Sequence, residues 1–384
     1  MQYELLGGQG NRVSRLGFGA MRLPQLADGK VDREKTTAMI DYAYRHGVNY
    51  YDTAYVYHGG ESEVALGEAL SAYPRSSFCL TDKLPIWFCK TEGDAPRIFA
   101  EQLKRCRTDY FDYYLLHSMD RERWLRVNEL GALDFLDRMK KEGAIKNLGF
   151  SAHTDAETLE MILAAYPWDL TQLQLNYVDY TQLDMKRQYE AVVRRGLPCV
   201  VMEPLRGGFL AALPADLAAP LTAADGGEAS CASWGFRWCI SHEHMRVILS
   251  GMNTLEQVRE NVAIFEAAQA LNQQEMAALE QVSGLIVGTR TVPCTGCAYC
   301  MDCPAGVNIP AIFAIYNRYM LYKVKFRSKS EYYALPEKAR GSACQWCGVC
   351  VSHCPQGIAI PVAIEKAHDL LYHLDSRWQV ALED

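Results

Sequence analysis

From about residue 15 to residue 285 the chain alternates short apolar runs with longer stretches whose apolar residues recur at three- and four-residue intervals. The runs have the length of buried strands and the stretches have the period of amphipathic helices. Their alternation is the rhythm of parallel strands joined by crossover helices. Strands are predicted at residues 15–20, 48–52, 78–83, 111–117, 145–151, 170–176, 198–203 and 247–251. Three of the intervening helices have readable ends: residues 32–46 stopped by Gly47, residues 130–142 stopped by Gly143, and one starting near Asp94 with Pro96 in its first turn. Eight strand-helix units in roughly 270 residues predict a closed (β/α)8 TIM barrel, an α/β fold. An open doubly wound sheet is the alternative, but no G-x-G-x-x-G follows the first strand, where a dinucleotide fingerprint belongs.

After Gly284 this rhythm stops, and the chain divides into an expected barrel over residues 1–285 and a second domain over residues 286–384. The second domain holds two cysteine runs, Cys294, Cys297, Cys300, Cys303 and Cys344, Cys347, Cys350, Cys354, each ending in Cys-Pro. The second run is spaced C-x2-C-x2-C-x3-C-P, in which three thiolates serve one 4Fe-4S cluster and the fourth serves another. Each run is followed by a related phrase, Cys303-Pro304-Ala305-Gly306-Val307-Asn308-Ile309-Pro310 and Cys354-Pro355-Gln356-Gly357-Ile358-Ala359-Ile360-Pro361, which marks an internal duplication. Exchange of the fourth ligands would group Cys294, Cys297 and Cys300 with Cys354, and Cys344, Cys347 and Cys350 with Cys303. The first run has one residue fewer before its last cysteine, so the expectation is one or two clusters. Zinc can also use Cys-x-x-Cys pairs, but it seldom needs three cysteines at two-residue intervals followed by Cys-Pro. Residues 309–335, rich in Tyr, Ile and Phe at helical spacing, predict a small, mainly helical ferredoxin-like domain.

Composition narrows the partners. A net charge of −7 with no stretch that collects Lys and Arg argues against nucleic acid. No apolar run approaches the ~20 residues that span a bilayer, so no membrane is expected. The opening Met-Gln-Tyr-Glu-Leu-Leu-Gly-Gly has no basic and apolar export signal, which predicts a cytoplasmic protein and argues against disulfides. Cys79, Cys89, Cys106, Cys199, Cys231 and Cys239 lie among apolar residues without metal spacing and read as reduced packing residues.

In a barrel of this kind, functional residues gather at the C-terminal ends of strands. Asp52 and Tyr57 follow the second strand, Lys83 ends the third and His117 ends the fourth. A tyrosine with a free pKa of ~10 is a poor acid at neutral pH, but a nearby ammonium lowers that value. Lys83 could do this, Asp52 could hold Lys83, and His117 could hydrogen-bond a substrate carbonyl oxygen.

With Tyr51-Asp52-Thr53-Ala54-Tyr55-Val56-Tyr57 and the preceding Leu16-Gly17-Phe18-Gly19-Ala20-Met21, the chain resembles the aldo-keto reductase family. Lys83 in Thr81-Asp82-Lys83-Leu84 and His117 in Tyr114-Leu115-Leu116-His117 complete the family's tetrad. The segment Gly251-Met252-Asn253-Thr254-Leu255-Glu256-Gln257-Val258-Arg259-Glu260-Asn261 is similar to the family's adenosine-binding segment. With the cysteine tail, the chain resembles the ferredoxin-fused bacterial branch. The resemblance implies Tyr57 as general acid toward a carbonyl, Lys83 and Asp52 as its tuning pair, and His117 as the group that orients the substrate. It also implies NAD(P)H contacts at Gly19, Met21, Ser151, Gln174, Leu205, Arg206, Gly207, Gly251, Asn253, Gln257 and Asn261. Departures from the pattern are Ala152 for an asparagine, Met202 for a stacking aromatic ring, and Gly251 and Gln257 where Lys and Arg often hold a 2′-phosphate. Loss of that clamp argues against a strong NADPH preference.

Nicotinamide transfers two electrons as hydride, whereas iron-sulfur clusters pass one at a time. A flavin mononucleotide is therefore the alternative cofactor, and a ferredoxin- or flavodoxin-type protein a possible redox partner besides the small-molecule substrate. The expected activity is carbonyl reduction coupled to, or structurally supported by, the clusters. An electron-transfer or redox-sensing protein on a lapsed barrel is one alternative, and a dehydratase or isomerase on the same barrel is another. Specificity would reside in residues 87–94, 118–124 and 205–228, with Trp87, Phe88 and Trp124 expected to pack against the helical tail.

Overall fold

The computed structural model describes residues 1–8, 10–182 and 185–374. Eight parallel strands close into a barrel: β3 (Leu16–Gly19), β4 (Tyr50–Asp52), β5 (Cys79–Leu84), β6 (Phe111–Met119), β7 (Ile145–Ala152), β8 (Leu170–Gln174), β9 (Cys199–Met202) and β10 (Met245–Ser250), with β10 pairing back onto β3. All eight predicted strands are present, with ends shifted by at most two residues. Before them lies an antiparallel hairpin, β1 (Tyr3–Leu6) and β2 (Asn11–Ser14), which the sequence pattern did not announce.

The hairpin has a packing role. Leu6 and Val13 are fully buried with Tyr50, Cys79, Tyr113, Leu115, Leu170 and Val200, which point inward from the early parts of their strands. Tyr113 Oη donates to the Leu6 carbonyl at 3.2 Å. The hairpin thus plugs the N-terminal end of the barrel with aliphatic side chains, each burial stabilising by about 1.5–3 kcal/mol. Strand side chains alternate between faces, so the inward positions beyond Tyr50, Cys79, Leu115 and Leu170 are Asp52, Thr81 and Lys83, His117, and Gln172 and Gln174. The polar end of the barrel is built by the same alternation that builds its core.

Helix starts follow side-chain caps. Asp32, Asp120, Asp155 and Thr254 each accept a hydrogen bond from the backbone N–H three residues on, opening Arg33–Arg45, Arg121–Glu129, Ala156–Ala165 and Leu255–Ala267. The helix predicted over residues 130–142 begins at Ala132, because Gly131 in the left-handed region separates it from Arg121–Glu129. Trp124 is buried, with its ring 6.3 Å from that of Trp168.

The chain forms two compact units, one of Met1–Leu205 with Ala232–Gln273 and one of Arg206–Cys231 with Gln274–Asp384. The second unit is mainly helical. Its core gathers Val307, Ile309, Ile312, Phe313, Tyr332, Ile360, Ile364 and Leu371 around Cys300 and Cys350. The predicted helix over residues 309–335 is two helices, Ile309–Tyr322 and Lys325–Ala334, broken where Lys323 takes a left-handed conformation. The duplicated phrases become matched structures. Pro304 and Pro355 lead tight turns closed by Gly306 N–H to Cys303 O and Gly357 N–H to Cys354 O, with both glycines at positive φ. Each phrase then starts a helix with proline in its first turn, Ile309–Tyr322 and Ile360–Tyr372. No helix among the described residues is long and apolar enough to cross a membrane.

Gly149 tests the tightness of the barrel wall. A Cβ there would lie 2.6 Å from the Leu170 carbonyl oxygen and 2.9 Å from Leu115 Cδ2. Gly149→Ala is expected to lower unfolding stability by about 1–3 kcal/mol, read by thermal melting of the barrel signal. An unchanged melting temperature would show that the neighbouring strands yield freely.

Candidate functional site

At the polar end of the barrel, Lys83 Nζ donates to Asp52 Oδ1 and to the Thr53 carbonyl, both at 2.6 Å. Both side chains are almost wholly removed from solvent. Asp52 Oδ2 accepts from Gln172 Nε2 at 3.2 Å, so both carboxylate oxygens are engaged. Burial pushes the Asp52 carboxyl up, and the Lys83 ammonium and Gln172 amide pull it back. Removing either member of such a buried pair leaves an uncompensated charge, typically costing about 3–5 kcal/mol.

Tyr57 opens a short turn, Tyr57–Gly60, after β4. The turn needs left-handed residues, supplied by His58 at φ 50° and Gly59 at φ 64°. Lys83 Nζ lies 5.0 Å from the centre of the Tyr57 ring. The His117 ring meets the Tyr57 ring edge-on at 5.9 Å. Burial first, then the charges of Lys83, Arg123 and His153, hold the His117 imidazole well below its usual range. It is therefore neutral at neutral pH, with one ring nitrogen able to donate and the other to accept. Four side chains separated by up to 65 residues are thus brought together: a phenol, a neutral imidazole, and an ammonium anchored by a carboxylate.

The residues expected to hold a dinucleotide are placed less uniformly. Ser151 lies on β7, where its Oγ accepts from Ser118 N at 2.7 Å while its own hydroxyl proton remains available to donate. Gln174 ends β8, and its Nε2 donates to Asp179 Oδ2 at 2.9 Å. Gly19 ends β3, Met21 follows in the turn Ala20–Arg22, and Gly251 follows β10. The Arg22 side chain covers Gly251, where a Cβ would lie 3.0 Å from Arg22 Cδ, and Arg22 pairs with Glu203 at 2.7 Å. Gln257 and Asn253 serve the helix start: Thr254 caps Gln257 N, and Gln257 Oε1 accepts from Asn253 N at 2.8 Å, a relative of the capping box. Asn261 Nδ2 donates to Ser250 Oγ at 2.9 Å. Leu205 closes the first stretch of the barrel unit, whereas Arg206 and Gly207 belong to the second unit. There Gly207, at φ 68°, lies so close to the first cysteine run that a Cβ would meet the Thr295 carbonyl oxygen at 2.3 Å.

In the second unit the eight cysteines separate into two rings. Cys294, Cys297, Cys300 and Cys354 line a cavity of about 300 Å³, open mouth included, walled by Ile309, Phe313 and Ile358. Cys303, Cys344, Cys347 and Cys350 line another of about 370 Å³, walled by Val307, Ile360 and Ile364. This is the exchanged grouping expected from the duplication. Among the described residues, no group of three or more His, Cys, Asp or Glu side chains is placed to hold a single metal ion. Zinc draws its four thiolates to within about 2.3 Å of one point. Thiols spread around an apolar void fit a cubic cluster instead. Asn317 fixes the approach to the first ring, its side chain bonding both the N–H and the carbonyl of Val292 at 2.8 and 2.7 Å.

Residues 15–283 match the Aldo/keto reductase family, and residues 293–359 match the 4Fe-4S dicluster domain. The chain belongs to the aldo/keto reductase family. It is similar to probable aldo-keto reductase 1 of Glycine max, 29% identical over 213 residues covering 53% of this chain and 59% of that protein. This chain thus spans less than two thirds of that relative's length. The NADH-specific methylglyoxal reductase of Escherichia coli is 28% identical over 327 residues, 72% of this chain and 98% of that one. Among solved structures, an aldo-keto reductase from Klebsiella pneumoniae in complex with NADPH superposes with a TM-score of 0.61 at 21% identity, covering 74% of this chain and 96% of that one. That likeness shows the fold.

Around the tetrad of this aldo/keto reductase stand groups that the sequence reading did not place. Gln172 was legible only as a polar residue two positions before Gln174 in an apolar strand. The Trp87 ring lies 5.1 Å from that of His117, and the Phe88 ring 5.7 Å from that of Tyr55. Both therefore contact aromatic residues of the barrel unit. The Arg123 guanidinium covers Trp87 at 4.7 Å and donates from Nη1 to Ser118 O and Oγ at 2.6 and 2.8 Å. His153 follows β7; it is partly exposed, but its Nδ1 is buried with no hydrogen-bond partner among the described residues. Of the six scattered cysteines, all but Cys231 are buried, and burial raises the Cys89 thiol to about 11 and the Cys199 thiol to about 12.

Two measurements follow from this geometry. Cys354→Ser and Cys303→Ser lie in different rings, so each is expected to lower anaerobically measured iron by one cluster's content, about four per chain, and to leave iron at the other ring in place. Loss of all iron in both variants would contradict independent rings. Burial and Arg123 lower the His153 imidazole to about 4. The unfolded chain, with a histidine near 6.5, then binds the extra proton first, and this residue's contribution to stability is lost as pH falls from about 6.5 to 4. His153→Gln should therefore lose less stability than the parent over that window in denaturant titrations. Parallel losses would remove the assignment.

Proposed function

We propose that the chain reduces the carbonyl of a small aldehyde or ketone at Asp52, Tyr57, Lys83 and His117, with two 4Fe-4S clusters held by the exchanged cysteine rings. The observation that carries the reading is the Lys83 ammonium, pinned by Asp52 at 2.6 Å and standing 5.0 Å from the Tyr57 ring. Carbonyl reduction adds a hydride to carbon and a proton to oxygen, and a nicotinamide, when bound, supplies the hydride. Tyr57 Oη donates the proton. The nearby ammonium favours the phenolate left behind and so strengthens the phenol as an acid. Neutral His117 donates a hydrogen bond to the carbonyl oxygen, orienting it toward Tyr57 and stabilising charge that develops there. Asp52 keeps Lys83 in place and charged without itself touching substrate.

Ser151, through its free hydroxyl proton, and Gln174 would face the carboxamide of the nicotinamide. A curated relative is an NADH-specific reductase and a solved neighbour binds NADPH. Here residues 251 and 257 are Gly and Gln rather than Lys and Arg, and the Arg22 side chain that covers Gly251 is paired with Glu203, which favours NADH. Clusters held by the two cysteine rings would supply single electrons. A flavin mononucleotide would join one- and two-electron steps, and the exposed Cys347 of the second ring offers a ferredoxin- or flavodoxin-type partner a short path to that cluster.

Tyr57→Phe and Lys83→Met are expected to lower carbonyl reduction by about 10²- to 10⁴-fold in anaerobically purified protein, with iron content unchanged. Undiminished turnover in Tyr57→Phe would remove this mechanism and leave the barrel as a carrier for the redox domain. Flavin released on denaturation would replace nicotinamide as the resident two-electron carrier.

A further inference from the structure

The site is bordered by a cation that the proposed reduction leaves unused. Arg123 lies in the first turn of Arg121–Glu129, directly after β6, the strand that carries His117. Its side chain is mostly buried and is fixed from three sides. Nη1 donates to Ser118 O and Oγ, the guanidinium plane lies over Trp87, and Asp120 stands 3.5 Å away on the Nη1 side. Ser118 holds a left-handed conformation, φ 56°, and its N–H is tied to Ser151 Oγ, so the two acceptors are themselves fixed.

All of these bonds use one nitrogen. Nε and Nη2 have no hydrogen-bond partner among the described residues, and neither is a buried orphan. Together they form the side of the guanidinium that receives a carboxylate through two parallel hydrogen bonds. The Trp87 ring lies 4.7 Å from the Arg123 guanidinium and 5.1 Å from the His117 ring. Lys83 is matched by Asp52, whose second oxygen is taken by Gln172, and Asp120 stands only on the Nη1 side of Arg123. An unspent guanidinium edge beside the site favours an anionic ligand.

We propose that Arg123 is the specificity-determining residue of this site and selects oxo acids, aldehydes or ketones whose carboxylate lies a short carbon chain away from the reacting carbonyl. The assignment rests on the carbonyl reduction proposed above. The carboxylate is received by Nε and Nη2, the intervening carbons lie along the Trp87 ring, and the carbonyl reaches His117 and Tyr57. Arg123 binds and does not take part in hydride or proton transfer.

The test compares 4-oxobutanoate with its uncharged counterpart butanal, using the full cluster-loaded chain, Arg123→Met and Arg123→Lys. The parent is expected to prefer 4-oxobutanoate in kcat/KM. Arg123→Met should lower that preference by about ten- to a hundredfold, the size expected for lost charged hydrogen bonds, mainly through KM, and Arg123→Lys should restore part of it. Equal loss on both substrates would show that Arg123 only props Ser118, and a parent without preference for the acid would overturn the proposal. Calorimetry with the product 4-hydroxybutanoate separates this from failure of the reductase reading. If neither carbonyl is turned over, binding that disappears in Arg123→Met still supports the anion site, and absent binding in the parent refutes it.

Discussion

A lysine ammonium buried inside a barrel is tolerated only with a fixed counter-charge, and the Lys83–Asp52 pair imposes that requirement on everything around it. Asp52 must end its strand at one inward position, and Lys83 must come two residues beyond the register partner Thr81. Gln172 must reach across from β8 to occupy the second carboxylate oxygen. Low dielectric strengthens each of these contacts and penalises any missing one. The pair therefore sets both the geometry beside Tyr57 and the electrostatics that keep His117 neutral.

The second unit meets a related demand with different chemistry. Thiolates that serve a cluster must be spaced around a void, which an ordinary packed core does not leave open. The duplicated Cys-Pro turns and the two proline-started helices hold that space, with Ile309 and Ile360 lining both cavities. The segment after β9 is drawn into this unit: Gly207 packs on the Thr295 carbonyl, and Tyr322 Oη donates to Ala212 O at 3.0 Å. A barrel loop that the family resemblance assigns to cofactor binding is thus folded together with the cysteine domain.

Much of this was legible along the chain because its signals are local. Asp32, Gly47, Gly143 and Pro96 mark helix ends through their own backbone chemistry, and the strand runs show as apolar segments. The Cys-x-x-Cys repeats declare their grouping because duplicated sequence folds into duplicated structure. The β1–β2 hairpin was not legible, since its alternation covers only four residues per strand and makes sense only over the open barrel end. Gln257 and Asn261 looked like cofactor contacts. Their side chains also bond to a helix start and to Ser250, contacts that a linear reading does not show.

By itself, then, the sequence determined the order of the eight barrel strands, the cysteine grouping and the placement of Asp52, Tyr57, Lys83 and His117 at or just after strand ends. Periodicity, turn chemistry and motif spacing act over a few residues and survive without knowledge of the fold. Only the tertiary structure decided what surrounds that set. Trp87 stands beside His117, whereas Trp124, on the helix Arg121–Glu129, packs near Trp168. Arg123 keeps one edge unspent because Ser118 and Asp120 engage only Nη1. Those outcomes depend on which distant side chains meet in three dimensions, and closing the barrel is what makes them meet.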